Sequence, residues 1–270
     1  MDCRTSGYND PANIAVRPKL MNHKQISGGY KPDTLYAESR KSVAPFEFNQ
    51  QVAEVFQNMI SRSVPGYALT LNLIGQIAAE YSQTSSNCFD LGCSLGASAL
   101  KLQQYAAQDC NVIGIDSSSA MTDKCLQQLT ALGLADQITL RCEDISETAI
   151  TNASIVVLNY TLQFIEKSAR EPLLNKIYQG MLKGGVLLLS EKVSHPHSET
   201  EKLLTDLHLN YKRQQGYSEM EIAQKRTSLE NVLIAETEQQ HLDRIMRAGF
   251  GRVTIINKAL NFTTFLGMKT

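Results

Sequence analysis

The 270-residue chain has no tryptophan, only 7% aromatic residues, and no charge excess of either sign, with 26 Lys and Arg against 27 Asp and Glu. A protein that grips a nucleic-acid duplex needs cations to neutralise phosphates. A net charge of −1 without a dense basic block therefore argues against that function class. No apolar run approaches the length of a membrane span, and the N-terminus lacks the apolar core of a secretion signal. The six cysteines, Cys3, Cys88, Cys93, Cys110, Cys125 and Cys142, form no Cys-x-x-Cys pair and have no neighbouring histidine partner. Neither a disulfide framework nor a zinc site fits that spacing, and no metal is expected. These absences predict a reduced, cytoplasmic globular protein with no membrane partner.

Of the seven prolines, four (Pro11, Pro18, Pro32, Pro45) fall in residues 1–45, a stretch without apolar period. It carries seven basic and four acidic side chains, so the net −1 splits into +3 for the leader and −4 for the remainder. Such a composition predicts a disordered leader over 1–45 and a single domain over 46–270. In that domain, Asn49 caps a helix with apolar positions Val52, Val55, Phe56, Met59, Ile60 and Val64, ended by Pro65-Gly66. A second helix is expected from about Tyr67 to Tyr81. Short apolar runs at 88–91, 111–115, 137–142, 155–159 and 186–190 then alternate with helical patterns near 97–107, 120–132 and 169–182. That alternation predicts a parallel sheet with helices on both faces. Three capping boxes follow, Ser198 with Glu201, Ser218 with Glu221, and Thr237 with Gln240. The first two open a helical insertion at about 197–234, and runs at 252–256 and 262–267 read as a closing antiparallel hairpin. The expected fold is α/β, with seven mostly parallel strands in a Rossmann-like sheet.

In such sheets ligands bind beyond the carboxyl ends of the strands. After the first strand stands Asp90-Leu91-Gly92-Cys93-Ser94-Leu95-Gly96, after the second Asp116-Ser117, after the third Glu143-Asp144-Ile145, and after the fourth Asn159. A tight glycine turn, an acid for ribose hydroxyls, and an acid beside an apolar residue for adenine together describe a nucleoside pocket. Asp90 at the head of the glycine turn favours S-adenosyl-L-methionine over NAD, whose pyrophosphate it would repel. Gly92-Cys93-Ser94-Leu95-Gly96 also matches the Gly-x-Ser-x-Gly elbow of α/β-hydrolases, with His195, His197, His208 and His241 downstream. Its context is wrong for that chemistry, because it follows the first strand and no His-Gly-Gly segment precedes it. Ile222, Arg226, Leu229 and Leu233 share helical spacing. Arg226 is then either a snorkelling or internally paired cation or the acceptor of a ligand carboxylate. Tyr67 is either a lid aromatic or core.

The segments Val52-Ala53-Glu54-Val55-Phe56, Ser63-Val64-Pro65-Gly66-Tyr67, the 90–96 turn and Asn159-Tyr160-Thr161-Leu162-Gln163-Phe164 resemble the carboxy-S-adenosyl-L-methionine synthase family. So do Lys176-Ile177-Tyr178-Gln179-Gly180 and Gln224-Lys225-Arg226, and the resemblance runs from Phe46 to the C-terminus. It implies a class I methyltransferase fold that converts S-adenosyl-L-methionine and prephenate into carboxy-S-adenosyl-L-methionine and phenylpyruvate. The product would serve a separate enzyme of tRNA wobble-uridine modification. The resemblance further implies a homodimer, with Tyr67, Gly92, Cys93, Ser94, Asp116, Ser117, Asp144, Ile145 and Asn159 binding the cofactor. Arg226 would bind the new carboxylate and be the catalytic residue. The implied chemistry needs no strong protein nucleophile: prephenate releases carbon dioxide and a base, the base deprotonates the sulfonium methyl, and the ylide captures the carbon dioxide. Arg62, Lys192 and Arg213 are candidates for holding prephenate. An ordinary S-adenosyl-L-methionine-dependent methyltransferase is the alternative.

Overall fold

A computed structural model describes residues 31–270. Helix α1 (Gln50–Ser63) starts where the Asn49 side chain accepts from Val52 N, and it buries Val52, Val55 and Met59. Gly66, in the left-handed region, turns the chain into α2 (Tyr67–Tyr81). The alternating body follows: β1 (Asn87–Leu91), α3 (Ala97–Tyr105), β2 (Asn111–Asp116), α4 (Ser119–Ala131), β3 (Ile138–Cys142), β4 (Ala153–Asn159), α5 (Lys167–Gly180) and β5 (Met181–Ser194). Then come α6 (Ser198–Gln214), α7 (Glu219–Leu229), β6 (Glu236–Thr237), α8 (Glu238–Arg247), β7 (Arg252–Ala259) and β8 (Phe262–Met268).

The sheet runs β3-β2-β1-β4-β5-β8-β7, with β8 antiparallel to β5 and β7 antiparallel to β8. This is the expected α/β sheet with its closing hairpin. An eighth strand, the two-residue β6, pairs in parallel with the end of β5 and was too short to carry a pattern. Because side chains alternate across a strand, the apolar runs feed two cores. Phe89, Leu91, Ile113, Val156, Leu158 and Leu187 pack beneath α5 and α8. Cys88, Val112, Ile155, Val157, Val186 and Leu188 pack beneath α2, α3 and α4. Each fully buried Leu or Ile stabilises the fold by roughly 1.5–3 kcal/mol.

Three local expectations need correction. Helix α5 stops at Gly180 rather than near 182, and β5 begins at once, shifting register before Val186. The Ser198–Glu201 capping box does not form: His197 holds the cap position, and the Glu201 carboxylate accepts from His195 N at 2.7 Å. The other two boxes form as read.

The third correction concerns the leader. Its first 30 positions lie outside the described residues, but residues 33–46 are packed on the helical insertion. Asp33 and Tyr36 are buried. Tyr217 donates to Asp33 Oδ2 at 2.5 Å, Tyr36 donates to Ser228 Oγ at 2.9 Å, and Gln224 Nε2 donates to the carbonyls of Tyr36 and Glu38 at 2.9 Å each. Beside these bonds, Leu35 and Phe46 join an apolar cluster with Leu229 and Val232, too few apolar residues to make a period.

Asp90, at the heart of the sheet, accepts from Ala99 N at 2.9 Å, and burial pushes its pKa up to about 7. A carboxyl group raised in the folded state takes up a proton on folding, so its contribution to stability is lost as pH rises through about 7. Asp90→Asn keeps the acceptor without the charge. Its thermal midpoint relative to wild type is expected to rise between pH 5 and pH 8.5 in parallel melting scans. A constant difference would show that Asp90 does not titrate in this range.

Candidate active site

The turn after β1 is shaped by its glycines. Gly92 has φ +77°, and a Cβ there would run into the Thr161 side chain. Gly96, at φ +79°, opens α3 where a Cβ would lie 2.7 Å from Cys125 Sγ. Such backbone is open to glycine at little cost. The N–H groups of Gly92 and Cys93 both donate to Ile115 O at 2.8 Å, which ties the turn to β2. At the end of β2, Asp116 accepts from Ser94 N and Ser118 N, each at 2.9 Å, one on each carboxylate oxygen. Burial raises its pKa while these two bonds lower it. Each oxygen keeps a lone pair, so Asp116 is fixed in orientation and still able to accept from a diol. Asn159 donates to Ser98 Oγ at 3.2 Å, while its buried Oδ1 has no partner among the described residues.

These groups face a cavity of about 490 Å³, within the usual range for small-molecule sites. One side carries Gly92, Ser94, Asp116, Ser117, Asp144, Ile145 and Asn159. The other is aromatic and aliphatic, with Phe46, Phe48 and Phe164 meeting edge to face at 5.1 Å for both Phe46–Phe48 and Phe48–Phe164. Lys192, His208, Lys212 and Lys225 also line it. Residues 162–164 are pinned from behind. Glu191 accepts from Leu162 N and Gln163 N at 2.9 Å each. The fully buried Arg170 donates to Ile165 O at 2.9 Å and to Ile234 O at 3.0 Å, and it pairs with Glu236.

Tyr67 and Cys93 lie apart from the main cavity, in an adjoining recess that shares Gly92, Ser94 and Asn159 with it. Arg226 is placed differently. It is exposed and borders a third hollow, which shares Lys192, Leu229 and Leu233 with the main cavity. The helical spacing that grouped it with Leu233 fails because α7 ends at Leu229. The inward face of α7 is Ile222, Gln224, Lys225 and Ser228. Arg62 is turned away, its guanidinium 3.9 Å from the Tyr217 ring centre, and Arg213 pairs with Glu219 at the surface. Of the candidates for a co-substrate, only Lys192 reaches the cavity. Lys212, Lys225 and His208 were missed, although the four-residue spacing of His208 and Lys212 places them on one helical face.

The arrangement holds no hydrolytic triad among the described residues. His208 Nε2 donates to Ser63 O at 2.8 Å, and His241 packs against Phe265. Burial pushes the Cys93 thiol well up, away from a thiolate. What the acid side fits is a nucleoside: Asp116 for a ribose, Ile145 and Asp144 for a flat base, and the orphaned Asn159 Oδ1 for an ammonium donor. Asp116→Ala is expected to weaken S-adenosyl-L-methionine by about 10–100-fold, the loss of charge-assisted bonds. Calorimetric titration checks this, and an unchanged affinity would move the ribose elsewhere.

A family profile described as a methyltransferase domain matches residues 89–185. The chain is similar to solved structures of an O-methyltransferase family protein from Burkholderia thailandensis, at 14% identity, TM-score 0.60, 85% of this chain and 65% of that one. It is similar also to human N-acetylserotonin methyltransferase in complex with S-adenosyl-L-methionine, at 18% identity, TM-score 0.52, 82% of this chain and 55% of that one. At such identity these show the fold. Curated relatives are far nearer in sequence. The carboxy-S-adenosyl-L-methionine synthase of Hydrogenovibrio crunogenus is 46% identical over 237 residues, covering 88% of this chain and 94% of that protein. That of Hahella chejuensis is 44% identical over 243 residues, covering 88% and 98%. This chain belongs to the carboxy-S-adenosyl-L-methionine synthase family.

Proposed function

We propose that the chain converts S-adenosyl-L-methionine and prephenate into carboxy-S-adenosyl-L-methionine, phenylpyruvate and water. One observation carries this reading. One cavity is lined both by a nucleoside-fitting set, Asp116, Asp144, Ile145 and Asn159, and by a second set of three lysines with an aromatic wall. A dianionic, cyclic co-substrate matches the second set as S-adenosyl-L-methionine matches the first. When bound, S-adenosyl-L-methionine supplies the sulfonium methyl carbon that takes up the carboxyl group. The protein's own part is positioning and exclusion of water. Asp116 and Asn159 orient the nucleoside half, the lysines hold carboxylates, and Phe46, Phe48 and Phe164 shield the centre. Prephenate loses its ring carboxyl group and its hydroxyl as the ring aromatises. The carboxyl group ends on the methyl carbon, and the proton displaced there leaves with the hydroxyl as water. Arg226, at the rim shared with Lys192, is the proposed partner of the new carboxylate.

The assembly and setting form part of the same reading. Leu203 and Leu207, exposed at four-residue spacing on α6, support a homodimer. Among the described residues no helix is long and apolar enough to cross a membrane, in keeping with work in the cytoplasm. The near-neutral charge supports a chain that makes a cofactor for wobble-uridine modification without itself holding tRNA.

Incubation with S-adenosyl-L-methionine and prephenate, followed by mass spectrometry, tests the reaction. The expected product is a sulfonium compound heavier by one carboxyl group, together with phenylpyruvate. Demethylated S-adenosyl-L-methionine with a methylated acceptor would instead establish an ordinary methyltransferase.

A further inference from the structure

Three lysines converge on one side of the cavity from three elements: Lys192 near the end of β5, Lys212 in the last turn of α6, and Lys225 on α7. Lys212 and Lys225 retain only 8% and 6% exposure. An ammonium taken out of water is costly unless a partner replaces its hydration. The partners do not balance. Lys225 Nζ donates to Ser63 Oγ at 3.1 Å and lies 3.9 Å from Asp33 Oδ2. Lys192 Nζ and Lys212 Nζ make no hydrogen bond and no ion pair among the described residues.

The remaining charges nearby do not close the gap. Glu201 acts on Lys192 at longer range, with one of its oxygens already accepting from His195 N. Arg226 adds positive charge near Lys192, and Arg62 adds it near Lys225. His208 stands beside them as a neutral ring, its pKa pushed down to about 3 by burial and then by Lys212. Burial, with Lys225 and Lys192, also brings Lys212 down to about 7, against an opposing pull from Asp33. Among the described residues the cluster is short of negative charge, and its lysines line the cavity.

We infer that Lys192 and Lys212 are the anchor for a carboxylate of the anionic co-substrate, and that Asp33 holds Lys225 back as a supporting charge. The inference rests on the reaction proposed above and deepens it by naming the side chains that select the second substrate. It has a consequence for turnover. Prephenate carries two carboxylates and phenylpyruvate carries one, so a cluster short of negative charge retains the substrate and releases the product.

The test uses the full chain and the variants Lys192→Met, Lys212→Met and Lys212→Arg. Each is titrated calorimetrically with prephenate, with S-adenosyl-L-methionine and with carboxy-S-adenosyl-L-methionine, assayed for carboxylated product and for KM of prephenate, and melted without ligand. Both methionine variants are expected to bind prephenate about 10–100-fold more weakly, as loss of a charged hydrogen bond requires. Affinity for S-adenosyl-L-methionine is expected to stay within about twofold of wild type, since neither lysine belongs to the set that fits the nucleoside. Lys212→Arg should keep most prephenate affinity. Lys212→Met should melt no lower than wild type, because it removes a buried charge that lacks a counter-ion. Unchanged prephenate affinity in both methionine variants overturns the inference, as does joint loss of both ligands with a lowered melting point. Selective loss of carboxy-S-adenosyl-L-methionine with prephenate unchanged also overturns it, since the lysines would then serve the product carboxylate. If wild type binds prephenate through these lysines but forms no carboxylated product, the reaction fails and the anchor stands. If wild type forms the product and the variants keep its KM for prephenate, the anchor fails and the reaction stands.

Discussion

The molecule depends on one constraint: charges of opposite sign must be held, largely out of water, on two sides of the same cavity. Asp116 is fixed by two backbone N–H groups, while Lys192, Lys212 and Lys225 line the same space. In a medium of low effective dielectric such charges act strongly on whatever lies between them, and they also repel or strain one another when nothing does. The parallel sheet solves only half of this. Its carboxyl edge presents Asp116 and Asn159, which an open edge would leave wet, and the exposed Asp144. The helical insertion and the segment before α1 pack over that edge, and the insertion brings Lys212 and Lys225 to the cavity that Lys192 of β5 also lines.

That wall is held by polar contacts. Asp33 receives Tyr217 and lies 3.9 Å from Lys225 Nζ, so the segment before α1 brings a counter-charge to the insertion. At the other end of the insertion, the buried Arg170 joins Glu236 and Ile234 O, and Glu236 also receives Arg244 at 2.6 Å. Removing one member of such a buried group leaves an uncompensated charge and costs several kcal/mol. The aromatic residues on the wall contribute water exclusion, whereas these ionic groups fix where the wall sits.

The sheet was legible in the sequence because apolar runs of strand length alternate with helical periods, and because position after a parallel strand has a fixed structural meaning. Gly92, Asp116, Asp144 and Asn159 could be named for that reason. The same local logic failed where tertiary partners decide. Arg226 was grouped with Leu233 by a helical period that ends four residues earlier, and the neighbouring Lys225 is the residue that faces inward. Ser198 and Glu201 match a capping box, yet Glu201 is taken by His195 N. The 33–46 segment carries no apolar period, since hydrogen bonds of Tyr217, Gln224 and Tyr36 and only the two apolar side chains Leu35 and Phe46 hold it in place. The family resemblance set the reaction before any geometry did. The lysine cluster was only partly foreseen, because three residues from three distant elements leave no local signature.

A cavity with an aromatic wall and its own charges should keep what is released inside it. The most direct measurement uses prephenate carrying carbon-13 in its ring carboxyl group, turned over in buffer containing unlabelled bicarbonate. The carboxyl group of the sulfonium product is expected to carry the label undiluted. A product unlabelled, or diluted toward the buffer bicarbonate, would contradict the account, since the released group would then have passed through water before reaching the methyl carbon.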